Sequence, residues 1–347
     1  MSGASKAIVQ PLLDWYDAGH RDLPWRSEPT PYRVWVSEIM LQQTRVEAVR
    51  GYFSRWMNAL PDIPALAAAD EAVYTKLWEG LGYYSRVRNL HRAAVLLCEQ
   101  YGGELPADYD KLLSLPGVGE YTAGAVASIA FGLPVPAVDG NVLRVAARLD
   151  NDFTPITDAK FKKQTRERFA ALMPSDRSGD LNQSLMELGA TVCLPNGAPR
   201  CADCPIQHLC EGFHRGNAAV LPLRAAKKAR RAENRTVLVV RCGQLVGLRQ
   251  RPKKGLLAGL WELPSLDGHL SPDELRAALT EMGWSVRKLL SLRPAKHIFT
   301  HVEWHMNGVY VELDAPAPAL TFVTPAELRD AYALPSAFRS FVSVLED

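Results

Sequence analysis

The chain has 347 residues, with 40 basic and 38 acidic side chains, a net charge of +2 and 47% hydrophobic residues. That length is comfortable for two domains, and the proportions argue against a disordered chain or a coiled coil. No run of about eighteen apolar residues occurs, so no membrane span is expected. The first residues lack a long apolar stretch and a cleavage site, so no secretory signal is expected and an intracellular setting is. A global basic bias is absent, so a nucleic-acid partner would have to be held by a local patch.

Residues 1–215 read as mostly helical. In Val34-Trp35-Val36-Ser37-Glu38-Ile39-Met40-Leu41 a carboxyl sits among large apolar side chains. Desolvation there is expected to raise its pKa and keep a proton available. Val46, Val49, Tyr52, Phe53 and Trp56 recur at helical spacing. Further on, Leu115-Pro116-Gly117-Val118-Gly119 leads into Tyr121-Thr122-Ala123-Gly124-Ala125. Glycines at that point allow a tight hairpin and let backbone N–H groups approach a phosphate at a helix N-terminus. This looks like a helix-hairpin-helix element, which grips a DNA backbone without reading sequence. An ordinary glycine-rich connection is the other reading.

Asp139, in Val138-Asp139-Gly140-Asn141, precedes a helix with Val142, Val145, Ala146 and Leu149 on one face. A helix N-terminus is expected to lower its pKa and keep it ionised. One protonated and one charged carboxyl is the division of labour that glycosidic-bond cleavage needs. A salt-bridged glutamate and a capping aspartate are the plainer alternatives.

Four of the six cysteines cluster: Cys193, Cys201, Cys204 and Cys210. In a reducing compartment such clustering favours a metal site over disulfides, with zinc and an iron–sulfur cluster both open. Cys98 and Cys242 are isolated and read as buried hydrophobes. Residues 216–234 read as a basic linker, richest between Arg224 and Arg235; Lys227-Lys228-Ala229-Arg230-Arg231 would also serve as a nuclear signal in a eukaryote.

From Arg235 the pattern becomes α+β. Thr236–Val240 is a β-branched run, and Gln244–Leu248 follows across a turn at Gly243, a hairpin signal. Ser271-Pro272-Asp273-Glu274 and Thr324-Pro325-Ala326-Glu327 are capping boxes that start helices. Strands are expected at Ser285–Leu292 and Val309–Leu313.

Together these motifs resemble the helix-hairpin-helix DNA glycosylases with a four-cysteine iron–sulfur loop, and within them the adenine DNA glycosylase (MutY) branch. The resemblance spans nearly the whole chain. It rests on Leu23-Pro24-Trp25-Arg26, Ser37-Glu38-Ile39-Met40-Leu41-Gln42-Gln43-Thr44, Gly80-Leu81-Gly82-Tyr83-Tyr84-Ser85-Arg86 and Val138-Asp139-Gly140-Asn141-Val142. It implies a helical glycosylase domain at 1–215 with an iron–sulfur loop at 193–210, and a Nudix-like lesion-recognition domain at 235–347. The related endonuclease III carries a lysine nucleophile where this chain has Tyr121. A phenol cannot form a Schiff base, so strand cleavage through an imine is not expected.

By the same resemblance the substrate is duplex DNA with adenine opposite 8-oxoguanine or guanine, and the cofactor a 4Fe–4S cluster on Cys193, Cys201, Cys204 and Cys210. Protonated Glu38 would donate to N7 of the flipped adenine, and ionised Asp139 would stabilise the sugar cation. Tyr121 and Asn141 would orient Asp139 or the sugar, and Trp25, Arg26 and Gln183 would hold the base. For Arg26 a phosphate or carboxylate partner is the alternative. Gln43 and Tyr83 would wedge the duplex, an ordinary helix-surface and core placement being the alternative, and Thr44 would also contact DNA, with Gly117, Val118 and Gly119 on its backbone. Phe299-Thr300-His301 stands where the family has a Phe-Ser-His loop that recognises 8-oxoguanine.

Two departures matter. Ala277 and Thr280 occupy positions of metal-binding glutamates in the Nudix box, so magnesium should bind poorly and pyrophosphatase activity is not expected. The first cysteine spacing is one residue longer than the family's, an extra residue expected to bulge within Pro195–Pro199, a stretch that contains Gly197. A monomer in a bacterial cytoplasm is expected, or a nuclear or mitochondrial protein in a eukaryote. Two rival readings remain: an endonuclease III-like pyrimidine-lesion glycosylase, and a non-catalytic redox-responsive DNA-binding iron–sulfur protein. The missing glutamates argue against a third, a Nudix-type nucleotide hydrolase.

Overall fold

The computed structural model describes residues 6–195, 197–224 and 229–345. Its α-helices are α1 (Val9–Gly19), α2 (Pro24–Ser27), α3 (Pro31–Leu41), α4 (Val46–Ala59), α5 (Ile63–Ala67), α6 (Glu71–Leu77), α7 (Ser85–Tyr101), α8 (Tyr109–Leu113), α9 (Glu120–Phe131), α10 (Gly140–Leu149), α11 (Ala159–Ala170), α12 (Ser178–Thr191), α13 (Glu211–His214), α14 (Pro272–Glu281), α15 (Pro325–Ala331) and α16 (Arg339–Val342). None of them is long and apolar enough to cross a membrane.

The chain divides into two compact units, and the division is discontinuous. The first comprises residues up to Ala68 and Ser85–Ala226; Ala69–Tyr84 belongs with the C-terminal residues, against the unbroken 1–215 expected from sequence.

In the first unit the local signals act where the sequence places them. Thr30 caps α3, its hydroxyl accepting from the backbone N–H of Arg33, and Pro31 opens the first turn. The apolar stripe of α4 buries Val49, Phe53 and Trp56. α9 is buried nearly all round, from Thr122 to Ser128, so its sequence carries little amphipathic signal. Gly124 lets it approach the neighbouring segment: a Cβ there would stand 2.4 Å from the carbonyl oxygen of Pro136. The α8–α9 hairpin turns on Gly117, whose φ of 78° suits glycine and whose missing side chain leaves room for Asn89.

The second unit is built on a sheet of β1 (Arg231–Cys242), β2 (Leu245–Gln250), β3 (Trp261–Glu262), β4 (Ser265–Asp267), β5 (Val286–Ser291), β6 (Ala295–Ile298), β7 (Val302–Leu313) and β8 (Thr321–Val323). Its main path runs β3-β2-β1-β7-β5. β1 and β7 pair in parallel, and the remaining pairs are antiparallel. β1 is covered on both faces: Val237 and Val239 pack with Trp304, Phe338 and Phe341, while Leu238 and Val240 pack with Leu275 and Leu279 of α14. Burial on both sides explains why the strand reads as an unbroken apolar run. Ser271 and Thr324 both form full capping boxes. The β1–β2 hairpin turns at Gly243, with φ of 58°.

Two expectations need correction. The basic stretch is not linker up to Arg235, because β1 begins at Arg231 and pairs with Val302 onward. Backbone pairing and ion pairs hold its first residues, so no apolar alternation marks them. Lys227 and Lys228 of the nuclear-signal reading, and Asn196 of the expected bulge, lie outside the described residues. β7 begins at Val302, seven positions earlier in the chain than the Val309 expected.

Candidate active site and cysteine loop

One cleft of about 570 Å³ in the first unit collects most of the sequence-derived site. Its walls include Glu38, Asp139, Tyr121, Asn141, Trp25, Arg26, Gln183, Gln43, Thr44 and Gly119. α3 supplies Glu38, the start of α9 supplies Tyr121, the start of α10 supplies Asp139 and Asn141, and α12 supplies Gln183.

Glu38 is 6% exposed. Burial pushes its pKa to about 7, the negative charge of Asp139 adds to this, and the hydrogen bond from Tyr121 opposes it. The Tyr121 hydroxyl donates to Glu38 Oε2 at 2.5 Å and lies 3.4 Å from Met186 Sδ. The phenol itself is pushed well above its ordinary value by burial and by the neighbouring carboxyls. The hydroxyl of Tyr121 is thus bonded to Glu38, whereas the sequence reading set it beside Asp139 or the sugar.

Asp139 is the N-cap of α10: Oδ1 accepts from Val142 N at 2.8 Å and Oδ2 from Asn141 Nδ2 at 2.6 Å. Its pKa is nevertheless raised, because burial outweighs these donors. This corrects the expected lowering, which weighed the helix N-terminus without the loss of water. Burial moves both carboxyls toward the protonated form; a positive charge developing beside Asp139 works in the opposite direction.

Arg26 has the carboxylate partner that the sequence left open. Its Nη2 donates to Glu187 Oε2 at 2.9 Å, Nε to Gln183 Oε1 at 3.1 Å and Nη1 to the carbonyl of Arg21 at 3.0 Å. Arg21 grips the same carboxylate through Nε and Nη2. Burial works against ionising Glu187, but the two guanidinium groups more than offset it and its pKa is lowered. Trp25 is buried, edge-on to Phe53. Glu187, Arg21 and Met186 were not read from sequence, although Gln183 and Glu187 stand four apart on α12 and so share a face.

Gln43 and Tyr83, the expected wedges, are among the few non-glycine residues with positive φ, 59° and 46°. Strain of this kind concentrates at functional positions. Tyr83 lies in the second unit, 46% exposed, with its hydroxyl 3.0 Å from Thr300 Oγ1. Gly117 and Val118 form the hairpin between α8 and α9 and do not line the cleft. Phe299, Thr300 and His301 form the tip joining β6 to β7.

Cys193, Cys201, Cys204 and Cys210 all line a second cavity, of about 30 Å³, with Arg148, Val192, Pro199 and Phe213. All four are free thiols. Burial pushes Cys204 up to about 12 and raises Cys201 and Cys210 as well. Soft donors facing one cavity without a carboxylate fit a thiophilic group. Among the described residues no three His, Cys, Asp or Glu side chains stand close enough to share a single ion. Gly197, at φ 76°, turns the segment where the longer spacing falls. α10 connects this loop to the cleft. Arg144 Nη2 donates to Asn141 Oδ1 at 2.8 Å and Nε to the Cys193 carbonyl at 2.7 Å, while Arg148 Nη1 donates to Cys193 Sγ at 3.1 Å.

A helical hairpin beside a cleft that joins a buried glutamate to a helix-capping aspartate defines the class, and comparison with known proteins agrees. Residues 36–172 match the HhH-GPD superfamily of base excision DNA repair proteins, and residues 236–344 match the NUDIX domain. The chain is 37% identical to the adenine DNA glycosylase of Mus musculus, over 97% of this chain and 77% of that protein. It is 35% identical to the adenine DNA glycosylase of Homo sapiens, over 92% and 70% respectively. Among solved structures, a thermostable thymine-DNA glycosylase matches with a TM-score of 0.54 and 27% identity, over 60% of this chain and 96% of that one. The chain belongs to the adenine DNA glycosylase family.

Proposed function

We propose that the protein is a monofunctional DNA glycosylase that excises adenine opposite 8-oxoguanine or guanine from duplex DNA. The observation that carries this is the pairing, in one cleft, of a carboxyl held near pKa 7 with a carboxyl capping a helix. A mispaired adenine leaves the stack at reduced cost and enters the cleft. Arg26, Gln183 and Glu187 offer donors and an acceptor to its edge, beside Trp25. Glu38 gives its proton to N7, the glycosidic bond breaks, and the bonding electrons leave with the base. Asp139, oriented by Asn141, stabilises the oxocarbenium ion left on the sugar. Water adds to the sugar and returns a proton to Glu38, leaving free adenine and an abasic site. Tyr121 offers no amine, so the strand stays intact.

The four cysteines fit a 4Fe–4S cluster, since a spread set of thiols suits a polynuclear group better than one ion. When bound it supplies a structural clamp on residues 193–210, and no chemical step passes through it. The hairpin at Gly117, Val118 and Gly119 grips phosphates, and Gln43, Thr44 and Tyr83 enter the duplex. Thr300, between Phe299 and His301, presents a hydroxyl to 8-oxoguanine. With Ala277 and Thr280 in place of acidic ligands, the Nudix-like unit recognises without hydrolysing. The protein acts as a monomer in a bacterial cytoplasm.

The test is base release from duplexes carrying each mispair, with and without alkali. Adenine release opposite 8-oxoguanine and guanine, with strand breaks only after alkali, is expected. Release of a damaged pyrimidine with adenine untouched would move the protein to the pyrimidine-lesion class. Redox-dependent DNA binding without base release would make it a non-catalytic iron–sulfur protein.

A further inference from the structure

The β6–β7 tip is not specified by its own turn chemistry. Phe299 N donates to the Val302 carbonyl at 2.8 Å, leaving Thr300 and His301 as a two-residue loop. Such loops ordinarily rely on glycine or asparagine at positive φ. Neither Thr300 nor His301 has a positive φ. Both are exposed, so their own burial cannot fix them either.

Hydrogen bonds reach the tip from outside it, from Arg230 Nε to the Phe299 carbonyl at 3.1 Å, from Arg231 N to the His301 carbonyl at 3.2 Å and between the Tyr83 hydroxyl and Thr300 Oγ1 at 3.0 Å, and packing supports it from behind. The Phe299 ring stands edge-on to Trp304 at 4.9 Å and to His297 at 4.6 Å. Trp304 is fully buried, and its indole N–H donates to Glu233 Oε2 at 2.9 Å. Two guanidinium groups lie against its ring, Arg235 at 4.6 Å and Arg251 at 5.6 Å. Each is tethered in turn: Arg235 to Glu233 at 3.0 Å, and Arg251 to the buried carboxylate of Glu262 at 2.5 Å. A ring held by a hydrogen bond, two cations and the core has few ways to move.

We propose that Trp304, clamped by Glu233, Arg235 and Arg251, is a positioning residue for lesion reading: it seats Phe299 and thereby sets where Thr300 presents its hydroxyl. This rests on the reading of Thr300 as the contact with 8-oxoguanine. Trp304 touches no DNA in this role and acts only through Phe299.

The experiment measures, on the full-length protein, dissociation constants and single-turnover excision rates for 8-oxoguanine:adenine and guanine:adenine duplexes. The variants are Trp304→Leu, Trp304→Phe, Phe299→Leu and Thr300→Ala. Trp304→Leu and Phe299→Leu should each cut the preference for 8-oxoguanine by roughly three- to tenfold, the worth of a lost aromatic pair. Guanine:adenine excision, which does not depend on reading the lesion, should lose less than 8-oxoguanine:adenine excision. Trp304→Phe, which keeps a ring behind Phe299, should recover most of the preference. Combining Trp304→Leu with Thr300→Ala should add little to either alone. An unchanged preference in Trp304→Leu and Phe299→Leu, with Thr300→Ala impaired, overturns the positioning role and leaves the Thr300 reading intact. An unchanged preference in Thr300→Ala overturns that reading itself. If Trp304→Leu does not fold, Phe299→Leu and Trp304→Phe decide: equal losses on both mispairs would reduce Trp304 to a core residue.

Discussion

Tyr121 donates its hydroxyl hydrogen bond to Glu38, across from α9 to α3, at 2.5 Å. The bond works against burial, which alone would push the Glu38 carboxyl higher still. Because the phenol keeps its proton far above neutral pH, it remains a donor throughout the working range. The tyrosine thus tunes the carboxyl it faces.

Tyr121→Phe should therefore shift the pH profile of excision and not simply lower the rate. The active form holds a proton on Glu38, so the rate falls as pH rises through about 7. Removing a donor that favours the carboxylate raises that pKa, so the alkaline limb should move to higher pH. Single-turnover rates across the neutral range read this directly. A profile that moves down or stays put would detach Tyr121 from Glu38. Borohydride should trap no covalent adduct from the unaltered enzyme.

Glu38→Gln should abolish excision, by at least about a hundredfold, with DNA affinity retained. It should also change stability in a pH-dependent way. Above the ordinary carboxyl range and up to about pH 7, the folded protein holds a proton at Glu38 that the unfolded chain has lost. Stability therefore declines across that window, by at most about 1.4 kcal/mol for each pH step of one, and flattens above it. The glutamine variant escapes this decline. Melting curves should nearly coincide at low pH, and the variant should melt higher above neutrality.

The two carboxyls of the cleft were legible as candidates because Glu38 lies in an apolar octet and Asp139 directly precedes a helix, and the family resemblance joined them into one site. The hairpin glycines and both capping boxes were legible from local sequence as well. Of the clamp on Glu187 only Arg26 was legible; Arg21 and Glu187, 166 positions apart, carry no local cue. The pKa of Asp139 was misjudged because a helix N-terminus can be read from sequence while burial depth cannot. The start of β1 was missed because Arg231–Asn234 is held by pairing with β7, which leaves no periodic trace. Trp304 is silent in sequence as well, one more buried aromatic until Arg235 and Arg251 are seen against it.

Asp139→Asn keeps a capping side chain, so α10 should form and the protein should fold normally. What it loses is the charge that meets the sugar cation. Excision should fall by about a thousandfold or more while DNA binding persists. Near-parent rates would assign the stabilising charge to another group. Asn141→Ala should cost less, about tenfold, because Val142 N still holds one Asp139 oxygen.

Arg144 joins the catalytic helix to the cysteine loop, and its loss should be felt at both ends. Nη2 donates to Asn141 Oδ1 and to the Gly189 carbonyl, and Nε donates to the carbonyl of Cys193. Arg144→Met fills similar volume but leaves these acceptors unpaired in a buried place, at about 1–3 kcal/mol each. Asn141, no longer braced, lets Asp139 wander, and Cys193 loses the contact that aims its thiol. Excision should fall by about tenfold or more, with a smaller loss in DNA affinity. Iron and sulfide per chain should fall in the same preparation, and reconstituting the cluster should restore only part of the rate. Full activity at full iron content would show that the two ends are independent; full iron with reduced excision would confine Arg144 to bracing Asn141.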